Sequence, residues 1–153
     1  MGIFSFRRKK EFFSAQQKEK ILAAIRAAEK NTSGEVRVYV ESKCRFVDAM
    51  DRAAEIFFGL KMEDTKHHNA ALVYVAIEDH QLAVFGDEGI YRKAGETFWK
   101  DAVQNMLAYF DKENYADGIA MVVTKIGEAL SLHFPYEAST DKNELPDDIV
   151  FGK

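Results

Sequence analysis

Glu35, Asn69, Asp87, Glu88 and Asp117 are the side chains in this sequence whose types suit one piece of chemistry, the coordination of a hard divalent cation. Several carboxylates and an amide oxygen make the all-oxygen donor set that Ca²⁺ and Mg²⁺ favour. Brought together without a cation, such carboxylates would repel and at least one would tend to keep its proton. The competing reading is plainer. Asp87 and Glu88 are then solvated turn residues and Asp117 a helix cap, positions such residues commonly fill. His67 and His68 stand beside Asn69, but adjacent residues of an extended chain point opposite ways, so an exposed loop pair is the simpler reading.

Other chemistries find less footing. There is no His-Glu-x-x-His pattern, and His80 and His133 stand apart, so a zinc hydrolase is unsupported. Counted from Asp111 as an EF-hand loop, the chain puts Ala116 where the sharp-turn glycine belongs and Val122 where the bidentate glutamate belongs. Cys44 has no arginine at phosphatase-loop spacing, and the Gly-x-Ser-x-Gly elbow and the Walker loop are missing. Trp99 beside Phe98 reads as packing rather than a base-stacking platform.

For the acidic set to act as one site, the fold must bring it to one edge. Ala70 to Ile77 is a nearly unbroken apolar run, the mark of a strand covered on both faces. Glu78-Asp79-His80 is a turn, Gln81 to Phe85 returns, and Gly86-Asp87-Glu88-Gly89 ends the strand. This predicts an antiparallel hairpin that carries Asn69 and Asp87 to the same edge. Upstream, Ser14 and Gln17 predict a capping box before a helix with Ile21, Leu22, Ile25 and Ala28 inward, ending near Asn31. Glu35 to Val40 alternates as a strand, and Asp48 caps a helix whose core side is Ala53, Ile56, Phe57 and Leu60. Strand, helix, strand predicts a parallel βαβ unit. Lys61 to His68 reads as a polar link.

Downstream, a Gly95-interrupted entry leads to a helix over 96–110 with Phe98, Val103, Met106, Leu107 and Phe110 buried. A last helix over 118–134 turns Ile119, Val122, Val123, Ile126 and Leu130 inward and stops at Pro135. The expected fold is α/β, a three-layer α/β/α sandwich with a small mixed sheet and four main helices. Its domain covers 12–135, between a basic tail over 1–11 and a polar C-terminal tail over 136–153 in which only Leu145, Ile149, Val150 and Phe151 can dock. The start of the last helix at Asp117-Gly118 is expected to face the same edge as Asp87.

At 153 residues with a net charge of −4, the chain fits one domain and implies no broad nucleic-acid surface. Arg7 to Lys10 is read as a solvated tail. The single cysteine, Cys44, allows no internal disulfide and suits a reducing compartment. No segment approaches the roughly 20 apolar residues of a membrane span. With no signal-like N-terminus and Phe6 where a myristoylation motif wants Ser or Thr, the expectation is a cytoplasmic protein.

Four motifs stand in order along the chain: Ser33-Gly34-Glu35 opening a strand, His68-Asn69 opening the apolar strand, Gly86-Asp87-Glu88-Gly89 closing the hairpin, and Tyr115-Ala116-Asp117-Gly118-Ile119 opening the last helix. Together they resemble the TPM domain family over about Phe12 to Phe134. The resemblance implies an α/β/α domain with an acidic edge site for divalent cations, Ca²⁺ above all and also Mg²⁺, with Glu35, Asn69, Asp87, Glu88 and Asp117 as ligands. It further implies links to acid phosphatase activity and to assembly of membrane complexes. Many relatives read Gly-Tyr-Gly-Leu-Glu where this chain has Gly86-Asp87-Glu88-Gly89-Ile90.

The sequence thus supports three expectations of function: a cation-binding domain, a metal-dependent phosphatase acting on a phosphorylated small molecule with Asp87 or Asp117 as base, or a protein-interaction module using Phe98, Trp99 or the C-terminal tail.

Overall fold

Ser14 opens the first helix as its neighbours demand. Its hydroxyl accepts from the Gln17 amide and the Gln17 side chain accepts from the Ser14 amide, so two otherwise orphaned donors are satisfied. The computed structural model describes residues 12–45, 48–136 and 149–152. The basic tail over 1–11 and Leu145 lie outside them. Helix α1 (Ala15–Lys30) leads to strand β1 (Glu35–Glu41) and helix α2 (Ala49–Gly59), which Asp48 caps. Strands β2 (Ala70–Ala76) and β3 (Gln81–Gly86) form the hairpin. Helices α3 (Glu88–Ala94), α4 (Glu96–Phe110) and α5 (Tyr115–His133) come next, then a short strand β4 (Ile149–Phe151).

The sheet runs β3-β2-β1-β4, with β1 parallel to both β2 and β4 and β3 antiparallel to β2. Two apolar layers cover it, which makes the protein the three-layer α/β/α sandwich expected. Val36, Val38, Val40, Ala71, Val73 and Val75 face α1, α4 and α5. Ala70, Leu72, Tyr74 and Ala76 face α2, whose Ala53, Ile56 and Phe57 pack on them. Strand alternation explains the split.

Several expected boundaries need correction. The Gly86–Gly89 turn opens a further helix, α3, with Asp87 as its N-cap. The last helix begins at Tyr115, not Gly118, so Asp117 sits inside its first turn. The C-terminal tail supplies a fourth strand that extends the sheet beyond β1. Leu107 is exposed on α4, whereas Met62, in the link read as polar, is fully buried.

Candidate functional site

The register fixes the rim. Glu35 pairs with Ala70 and Ala71 pairs with Gly86, so β1 and β2 begin where β3 ends. The Glu35 amide donates to the Asn69 carbonyl at 3.3 Å, and the Asp87 amide donates to the Ala70 carbonyl at 2.9 Å. Glu35, Asn69, Asp87 and Glu88 therefore come to one sheet edge, as the hairpin predicts.

Asp117 does not join them. Tyr115, at the start of α5, places its hydroxyl 3.4 Å from His80 in the β2–β3 turn, the far end of the hairpin. The other end of α5 reaches the rim, where the Phe134 carbonyl accepts from the Ser33 amide at 3.1 Å. Nineteen helical residues span roughly 28 Å. Asp117 is thus at the opposite pole from Asp87, and the expected five-residue cluster is not formed. The reason is the direction of α5, which runs toward the rim instead of away from it.

At that pole Asp117 has a structural task. It pairs with Lys20 of α1, and this hydrogen bond holds its carboxyl below the ordinary carboxylate value of 3.8. A depressed folded pKa stabilises above the unfolded value and loses its effect as pH falls through the folded one. The α1–α5 contact is therefore expected to weaken on acidification below about pH 4. Urea titrations of wild type and Asp117→Asn across that range should converge at low pH and separate above it; parallel curves would refute the pairing.

At the rim, Asp87 is 8% exposed and anchors two elements. Its Oδ1 accepts from the Glu88 amide at 2.7 Å, capping α3, while Oδ2 lies 3.3 Å from His68 Nδ1. Glu88 is exposed and pairs with Arg92 at 2.9 Å across one helical turn. Asn69 is almost fully buried; its Nδ2 donates to Ser33 Oγ at 3.2 Å, and its Oδ1 has no donor among the described residues. His67 and His68 are both exposed.

A residue that the sequence pattern does not single out completes this edge. Glu63 lines the open cleft beside Asp87, Glu88, His68 and Arg92, and its Oε1 is buried without a donor among the described residues. The cleft measures about 530 Å³, with Phe58, Phe85 and Tyr91 as its apolar walls. Only the burial of Met62, which pulls the link against the α2 layer, brings Glu63 to the edge. Among the described residues no three His, Cys, Asp or Glu side chains form a ready-made metal cage. An ion held here would need backbone carbonyls or water to complete its sphere.

The chain as a whole is similar to known proteins. The TPM domain family model, which carries the word phosphatase in its name, matches residues 7–129. The NMR structure of the BA42 protein from the psychrophilic bacterium Bizionia argentinensis aligns at a TM-score of 0.85 and 39% sequence identity, covering 95% of this chain and 99% of that one. The N-terminal domain of the cg2496 protein from Corynebacterium glutamicum, also solved by NMR, aligns at 0.60 and 17% identity over 78% of this chain and 75% of that one, a likeness of fold alone. No curated protein matches. The chain belongs to the TPM domain family.

Among the described residues, no helix is long and apolar enough to cross a membrane.

Proposed function

We propose that this TPM domain binds a divalent cation, Ca²⁺ foremost and Mg²⁺ second, at the rim formed by the starts of β1 and β2 and the end of β3. The observation that carries the reading is the pair of buried acceptors, Glu63 Oε1 and Asn69 Oδ1, that lack donors among the described residues on an edge already holding Asp87 and Glu88. A buried acceptor without a donor costs about 1–3 kcal/mol, and a cation offsets that cost where a neutral donor is missing. Glu63 thus takes the place in the donor set that Asp117 was expected to fill. Bound there, the ion would tie the 61–69 link to the start of α3. The same reading puts the protein in the cytoplasm, where Cys44 stays reduced.

Calorimetric titration with Ca²⁺ and Mg²⁺ tests it. Asp87→Asn keeps the cap, since Asn caps a helix as well as Asp, but removes the charge. Glu63→Gln does the same in the cleft. Each variant should bind at least about tenfold more weakly than wild type, a difference of about 1.4 kcal/mol. Unchanged heats in both would eliminate the rim as the site.

Phosphomonoester hydrolysis is the second reading, favoured by Arg92 and His68 lining the same cleft as Asp87. A bound cation would supply Lewis-acid polarisation of the phosphoryl group. Of this chain's own groups, Arg92 would orient the phosphate and Asp87 would take a proton from water. Asp117, at the other pole, has no part in it. Turnover of p-nitrophenyl phosphate that survives Asp87→Asn and chelator would dismiss this reading.

A further inference from the structure

The sheet has a second open place, at the end opposite the rim. Helix α2 is the only helix on its face of the sheet among the described residues, and it packs on β2 and β3. No described helix packs over the outer pair, β1 and β4, on that face, where Arg37 and Glu41 of β1 are nonetheless buried. Over the carboxyl ends of these parallel strands lies a cleft of about 830 Å³. That is the size of a small-molecule site, and the position is the one where open α/β sheets commonly take ligands.

Its lining has a definite chemistry. Glu41, at the end of β1, is spent internally: Arg52 donates to both of its oxygens at 2.9 Å, and the Tyr74 hydroxyl donates to Oε2 at 2.5 Å. Arg52 also reaches Glu55. With those acids engaged, the cations left over in the cleft are Lys43 and Arg45, both exposed and neither paired with an acid among the described residues. Beside them stands the half-buried ring of Tyr39, held between Arg52 at 5.9 Å and Tyr74 at 6.3 Å. Gly152 lies flat against this ring, because a Cβ there would come within 2.6 Å of the Tyr39 hydroxyl. The cleft thus joins a fixed aromatic edge to two open cations.

We infer that this cleft binds a phosphate-bearing small molecule with a flat body, of mononucleotide size. Lys43 and Arg45 hold the phosphate by charge-assisted hydrogen bonds, and the edge of Tyr39 flanks the flat body, the Phe151 ring being turned to the other face of the sheet against Phe12 and Phe13. The site is independent of the rim, and a phosphate held here lies a sheet length from Asp87. Binding without hydrolysis is its role.

The test is an amide-resonance titration of the full chain with adenosine monophosphate, adenosine and inorganic phosphate, at constant ionic strength and without divalent cations. Adenosine monophosphate should move the resonances of Ser42, Lys43 and Gly152. The double variant Lys43→Ala/Arg45→Ala, both exposed positions, should weaken that binding at least about tenfold while the rest of the spectrum stays in place. Inorganic phosphate and adenosine should each bind more weakly than the joined molecule. Equal response to inorganic phosphate, affinity unchanged in the double variant, or shifts confined to residues 63–92 would each overturn the assignment. Failure here leaves the rim untouched, since that reading is judged by calcium heats.

Discussion

Glu41→Ala should destabilise the protein by about 3–5 kcal/mol, the range expected when one partner of a buried ion pair is removed. The carboxylate is 5% exposed and is the common acceptor for Arg52 and Tyr74. Truncation takes from the Tyr74 hydroxyl, on a fully buried residue, its carboxylate acceptor and leaves it the weaker Cys44 thiol, at a cost of about 1–3 kcal/mol. It also takes from the partly buried Arg52 its bidentate carboxylate, leaving the exposed Glu55 as its acidic partner among the described residues. Burial and this hydrogen bond push the Tyr74 phenol far above its ordinary value, so it remains a neutral donor throughout the usable pH range. A second substitution separates the two costs. Tyr74→Phe removes that hydroxyl, so the double variant should lose less than the sum of the single changes. Denaturant midpoints decide it: a loss under about 1 kcal/mol for Glu41→Ala, or strict additivity, would mean the network does not carry the weight assigned to it.

Local chemistry is what the sequence makes readable. Ser14 with Gln17, and Asp48 before α2, act within three residues of where they stand, so their roles come from spacing alone. The hairpin is equally legible, because an apolar run, a polar turn and a returning strand leave one pairing open to them. Asp87-Glu88-Gly89 is harder, since an Asp in extended backbone serves a turn and a helix N-cap alike, and only the conformation of the residues after it tells the two apart. The three residues of β4 carry no periodicity; their partner, β1, lies more than a hundred residues earlier.

The position of Asp117 is hidden for a different reason. Strand β3 ends at the rim, α4 carries the chain to the far pole over fifteen residues, and α5 returns. Counting those passes puts the start of α5 away from Asp87, although each element looks the same whichever way it runs. Glu63 shows the converse. Nothing in a polar link marks one glutamate over its neighbours until Met62 is seen in the core.

Gly89→Ala is the second change expected to act strongly, through the rim. Alanine gains about 1 kcal/mol over glycine inside a helix, so propensity alone predicts stabilisation. The packing predicts the reverse. A Cβ at this position would stand 2.3 Å from the His67 carbonyl oxygen and 2.6 Å from that of His68, and these are backbone atoms with no rotamer to yield. The close approach exists because the Gly89 and Ile90 amides both donate to the His68 carbonyl, at 2.8 and 3.3 Å. His68 itself sits at a φ of 51°, a strained value for a non-glycine residue, so the link has little freedom to retreat. Relief must come from α3 lifting off, which breaks those bonds and draws its N-cap, Asp87, away from His68. Overpacking of this kind costs about 1–3 kcal/mol and here outweighs the propensity gain. Calcium heats should fall with stability, because Asp87 rides on the displaced helix. If Gly89→Ala proved as stable as wild type, α3 would sit more loosely on the 67–68 backbone than these distances require, and the case for a preformed rim would go with it.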